Sequence, residues 1–229
     1  GAYRGIETIV RIAAIAMPAV IIAFFIITLG IIPYYEFDGI LPILGKGLKS
    51  LFYDGLFQVS RYSAFSALFF IYPFIQTHKD FKFAGFASIV TASLAFCWAT
   101  FVYLVAFRYP AVLENFLPIY HMARLINLGR FFQRIESLFI FAWVIAAMTY
   151  ISMSLFNLVY VFKRTFKLEY ERPLIFPFAI LLFSIGFLPQ NIMQVMGFEK
   201  SYVRHYVFVM AFIFPIILLI IARARKKEL

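Results

Sequence analysis

Cysteine is almost missing from this chain: Cys97 stands alone inside an apolar run, so no disulfide can form within the chain. Charge is scarce too. Charged residues make up 14% of the 229 positions and hydrophobic residues 64%, where soluble domains carry about 25% and about 45–50%. That scarcity excludes an ordinary soluble globule and makes the class integral membrane. Histidine is limited to His78, His121 and His205, with no paired-ligand spacing for a metal and no Ser, Cys and Asp arrangement around them. The glycines form no phosphate-cradling loop, because Gly45-Lys46-Gly47 lacks the rest of a P-loop. The chain therefore reads as a non-enzyme with no cofactor. No secretory signal is evident, since the first apolar run is too long for a signal h-region and no small-residue cleavage site follows it. Acidic residues are few, 11 against 21 Lys and Arg, for a net charge of +10. In so apolar a chain, basic residues between spans report orientation and contact with anionic lipid, so the expected partner is membrane lipid and not nucleic acid.

What is present is a series of apolar runs. Residues 12–32 would rise about 31 Å as a helix, about the thickness of the hydrocarbon core. Comparable runs at about 56–75, 83–107, 138–162, 173–188 and 203–222 give six transmembrane helices in a single transmembrane domain over 1–229, all-α in class. Between the third and fourth runs, residues 118–127 read as an interfacial helix, with His121, Arg124 and Asn127 on one face and Ile119, Met122, Leu125 and Ile126 turned the other way. Six spans put both ends on one side. Lys and Arg number 12 on that side and 8 on the other, outside the spans, so the termini are expected in the cytoplasm.

Two places carry charge where lipid is expected. Arg61 interrupts the second span within Ser60-Arg61-Tyr62-Ser63-Ala64-Phe65-Ser66, and an ionisable residue inside a membrane is a functional hypothesis by default. Ser60, Ser63 and Ser66 recur at every third position. In one reading the helix unwinds here, and its freed backbone groups, with Ser60, Arg61, Tyr62, Ser63 and Ser66, receive an anionic group such as a carboxylate. In the other, the serines line a helix–helix seam and Arg61 stretches its stem to the headgroups. The second place is the head of the fourth span. Arg130 and Arg134 share a face there, while Glu136 falls with Phe132 and Ile140 and needs a partner from another element or from headgroup water. Residues 123–136 read as an extracellular cover over a vestibule, which makes Arg134 and Glu136 gate or vestibule candidates.

The stretch Ala123–Trp143, "ARLINLGRFFQRIESLFIFAW", resembles the endospore germination permease family, the membrane-embedded B subunit of the nutrient-germinant receptor. Gly5-Ile6-Glu7 with Arg11, Leu41-Pro42-Ile43-Leu44 with Gly47-Leu48-Lys49, and Tyr170–Pro177, "YERPLIFP", are similar to it as well. The resemblance implies an amino acid–polyamine–organocation transporter plan: ten core helices in two inverted repeats, a LeuT-like fold. This chain would supply helices five to ten, without the first four. It further implies a small nutrient ligand, an amino acid or a sugar, held at the Ser60–Ser66 segment. The implied partners are the receptor's A and C subunits, and the implied location is the inner spore membrane. Where family members carry Phe-Pro-Phe-Gly-Glu, the aligned positions here are Ser60 to Ala64, with Arg61 in the Pro position. Two other readings stand beside nutrient sensing. One is an amino-acid secondary transporter, the other a structural receptor subunit that binds no nutrient.

Overall fold

The computed structural model describes residues 1–40, 47–107, 112, 116–126 and 135–226. Among them the secondary structure is entirely helical: α1 (Ile6–Gly30), α2 (Leu48–Gln58), α3 (Ala67–Ile71), α4 (His78–Ala106), α5 (Pro118–Leu125), α6 (Ile135–Thr165), α7 (Arg172–Gly186) and α8 (Ile192–Arg225), with 3-10 and π turns between and within them. Four helical stretches among the described residues are long and apolar enough to cross a membrane: Ile6–Tyr34, His78–Ala106, Ile135–Thr165 and Ile192–Arg225; α7 is apolar but shorter. The protein is thus an all-helical membrane protein. The run at 56–75, expected as one span, is not one continuous α-helix. It consists of the end of α2, a 3-10 stretch at Val59–Ser66, α3 and a 3-10 turn at Tyr72–Phe74. The chain divides into two compact units, one of Gly1–Ile43 with Ala87–Ile180 and one of Leu44–Phe86 with Leu181–Leu229.

The first unit is built on α1 and α6. Ile9, near the start of α1, packs with Phe156 and Val159, near the end of α6. Ile27 and Ile31, at the other end of α1, join Ile135 at the start of α6. The two helices therefore run antiparallel. Within α1 the buried residues Ala23 and Ile27 stand four apart, with Thr28 and Ile31 continuing the stripe, the spacing that puts side chains on one helix face. Thr28 is fully buried, yet its hydroxyl donates to the Phe24 carbonyl at 3.0 Å and its own carbonyl accepts from Tyr35 Oη at 3.0 Å, so the polar atoms cost little. Burial pushes the Tyr35 phenol above its ordinary range.

Helix α5 wedges into this end of the unit. Met122 and Ala123 are completely buried against Ile27, Ile31, Val102, Tyr103 and Ile126, while Arg124 faces out over the Tyr120 ring at 5.9 Å. The fit is close, because a Cβ on Gly30 would come within 3.0 Å of Ile126 Cδ1. Tyr103 closes the wedge by donating its hydroxyl to the Val112 carbonyl at 3.0 Å. At the opposite end, Ala2, Ile9, Phe156, Val159 and Ile175 form a second cluster, which draws the N-terminal turn and the start of α7 together.

In the second unit the 3-10 stretch Val59–Ser66 packs against Arg204–Phe208 and Val209–Ile213 of α8, and α2 packs against Arg204–Phe208. Tyr72 meets Phe81 edge-on at 4.9 Å, which folds the end of the interrupted run against the first turns of α4. Helix α8 carries two π turns, Glu199–Val203 and Val209–Ile213.

Candidate functional site

The 3-10 stretch is eight residues long, although such runs seldom exceed three or four and mark hinges when they interrupt a helix. The sequence accounts for its position. Serine side chains compete with the helical backbone for hydrogen bonds and weaken α geometry where they cluster. A 3-10 helix has three residues per turn, so side chains three apart eclipse one another. Ser60, Ser63 and Ser66 therefore stack along a single edge, which is the buried edge: Ser60 is enclosed and the other two are half-buried. Arg61 and Ala64 form a second edge, and it is exposed. Tyr62 and Phe65 form the third, with their rings stacked at 6.0 Å.

This geometry separates residues that the sequence places side by side. Arg61 shares an edge with no serine, and its Nε donates to Gln58 Oε1 at 2.8 Å. The serine edge belongs to a stretch packed on the part of α8 that both π turns flank, a helix deformation often found at functional sites. Between those turns, Arg204 holds the Glu199 carboxylate through Nη2 at 3.0 and 3.3 Å and Nε at 3.4 Å, with the Arg204 side chain largely buried. Sequence reading missed this pair. Its spacing of five residues does not match the three- or four-residue neighbours of an α-helix, and only the wider π turn brings the two together.

The second group of candidates is not assembled in the same way. Glu136 lies half-buried in the first turn of α6, and among the described residues no cation reaches ion-pair distance of it. Arg134 and Arg130 lie outside the described residues. Elsewhere in the first unit, a cavity of about 420 Å³ opens between α1 and α6, lined mostly by aliphatic side chains with the hydroxyls of Thr149 and Ser152. Asn157 Oδ1 is buried with no hydrogen-bond partner among the described residues. No group of three His, Cys, Asp or Glu among those residues is placed to hold a metal ion.

Residues 1–195 match the family model described as spore germination protein, a span that takes in the 3-10 stretch, α5 and the head of α6. The chain belongs to the spore germination permease family. No curated protein and no solved structure compared with it matches. Family membership covers the α1–α6 scaffold and the interrupted run alike, whereas the Arg204–Glu199 pair lies in the part of the permease beyond the matched residues.

Proposed function

We propose that this germination permease is the membrane subunit of a spore germinant receptor and that it senses a small nutrient, an amino acid or a sugar, at the Ser60–Ser66 segment. The observation that carries this reading is the eight-residue 3-10 stretch with its three serines on one edge, enclosed at Ser60 and half-buried at Ser63 and Ser66. An interrupted helix at membrane depth leaves backbone groups to be satisfied by neighbours or by a ligand. Three eclipsed hydroxyls are donors and acceptors of the kind that fix a small polar solute. Ser60, Ser63 and Ser66 would hold the solute's polar groups and Tyr62 its apolar side, while Arg61 would meet a carboxylate after leaving Gln58. Binding shifts the receptor only by the ligand's differential affinity for its two states. Arg134 and Glu136 remain the proposed gate. The receptor's A and C subunits are the proposed partners, in the inner spore membrane with cytoplasmic termini, and the six-span, LeuT-like half-plan is the proposed architecture.

The test is a germination dose response in spores carrying Ser63→Ala, which removes the hydroxyl and adds no atom. One lost hydrogen bond of about 1 kcal/mol raises the half-maximal nutrient concentration roughly fivefold at normal receptor levels. An unchanged dose response from a normally accumulating Ser63→Ala receptor would falsify the serine edge as the contact. The engagement of Arg61 with Gln58 on the exposed edge favours a second reading, an assembly subunit that binds no nutrient. That reading predicts normal responses from both Ser63→Ala and Arg61→Ala.

A further inference from the structure

The end of the first unit that holds Gly1 and the last turn of α6 gathers basic side chains that its acids do not neutralise. Glu7 pairs with Arg11 at 2.6 Å, and Glu171 with Lys163 at 3.5 Å. Arg4, Arg164, Lys167 and Arg172 are left, and among the described residues no carboxylate comes within ion-pair distance of any of them. Only Glu169 remains on the acidic side.

Two of these cations lie beside aromatic rings. Arg164 lies 5.7 Å from the centroid of the Tyr160 ring and donates Nη1 to Tyr160 Oη at 3.2 Å. Arg172 lies 5.9 Å from the Tyr3 ring. A guanidinium beside a ring still presents a planar fork of N–H donors that matches two oxygens of a phosphate, and Arg164 gives only Nη1 to Tyr160. Both arginines sit at the rim of one apolar cluster. Tyr160 packs on it directly, Tyr3 follows the buried Ala2, and Arg172 precedes Leu174 and Ile175 in α7.

Lys167 supplies an independent sign. It is the only non-glycine with positive φ among the described residues, at 52°, and it ends α6 where Leu168 N–H reaches back to the Lys163 carbonyl at 3.0 Å. Glycine is the usual residue at such a helix end, and any other side chain there costs about 1 kcal/mol. The chain carries a lysine at that cost, three residues after Arg164 and five before Arg172. Around the group, Tyr3, Phe166 and Tyr170 are all strongly exposed, as aromatic side chains are at headgroup depth.

We propose that Arg164, Arg172 and Lys167, with Arg4 and the Tyr3 and Tyr160 rings, bind the phosphate of an anionic phospholipid headgroup. The shared chemistry is a phosphate anion. The exposed aromatic rim and the apolar cluster below favour a lipid over a soluble ion, because a free phosphate would gain nothing from either.

The experiment reconstitutes the protein in phosphatidylcholine bilayers and measures motional restriction of spin-labelled phosphatidylglycerol against spin-labelled phosphatidylcholine. The parent protein is expected to prefer the anionic label. Each single variant, Arg164→Gln or Arg172→Gln, loses about fivefold of that preference, and the double variant about thirtyfold. Lys167→Gly loses about fivefold while melting no lower than the parent in pure phosphatidylcholine, which separates headgroup binding from folding. A double variant that melts like the parent in phosphatidylcholine and keeps the full preference overturns the proposal. It is also overturned if millimolar inorganic phosphate raises the parent's melting temperature as much as phosphatidylglycerol does and the double variant loses that rise, since the site would then serve a soluble anion.

Discussion

The two units of the permease solve the problem of packing helices in different ways. In the first, α1 and α6 are continuous, and apolar side chains at helical spacing fill both ends of their seam. In the second, the helices are wound too tightly at Val59–Ser66 and too loosely at two places in α8. Burial follows the same division. Among the described residues, every buried side chain belongs to the first unit except one, and that one is Ser60. Lipid is as apolar as leucine, so helices in a membrane associate through close packing and polar contacts more than through apolar burial. The first unit relies on close packing and the second on polar groups and altered backbone geometry. Segments with little burial open at lower free energy, so the second unit is the easier of the two to remodel.

The largest effect expected from breaking this contrast is at Met122. Met122→Ala removes a completely buried side chain from the α5 wedge, at a cost of about 2–5 kcal/mol. Amide exchange in α1 and α6 should accelerate accordingly, while residues 59–66 keep their parent rates. Acceleration in 59–66 alone would reverse the roles assigned to the two units. A smaller effect comes from the other side. Arg204→Gln removes a charge-assisted pair from α8, worth about 2 kcal/mol, and should speed exchange at 199–213 and 59–66 without touching α1.

The smallest effect sharpens the first unit. Its Tyr35 phenol, raised by burial, lends stability that is complete below the ordinary tyrosine value of about 10 and is lost as pH climbs through the raised value. Tyr35→Phe should therefore cost about 1 kcal/mol at neutral pH through the lost bond to Thr28. It should also flatten the alkaline limb of the melting-temperature profile.

The contrast was partly legible in the sequence. Composition gives the membrane class, and the motif from Ala123 to Trp143 leads to the family that the matched residues 1–195 show. The serine triplet at 60, 63 and 66 is visible as a spacing. Whether it lies on an α or a 3-10 helix depends on a shift of one hydrogen-bond partner per residue, a small energy that packing against α8 decides. The π turns left no trace, because Glu199–Val203 and Val209–Ile213 have no composition distinct from ordinary helix. Arg61 misled in a physical way: a charge within an apolar run is conspicuous in one dimension, but on a three-residue turn it lies on a different edge from the serines beside it.

The 3-10 stretch is also a store of length. Eight residues rise about 2.0 Å each in that geometry and about 1.5 Å each in an α-helix, so rewinding the stretch would shorten it by about 4 Å. The same change would swing each serine about 60° away from the one below it, scattering the aligned hydroxyls around the axis. A single local transition would thus move α3 along its axis and dismantle the polar edge together, a mechanical link between the alignment of the three serines and where the neighbouring helix stands.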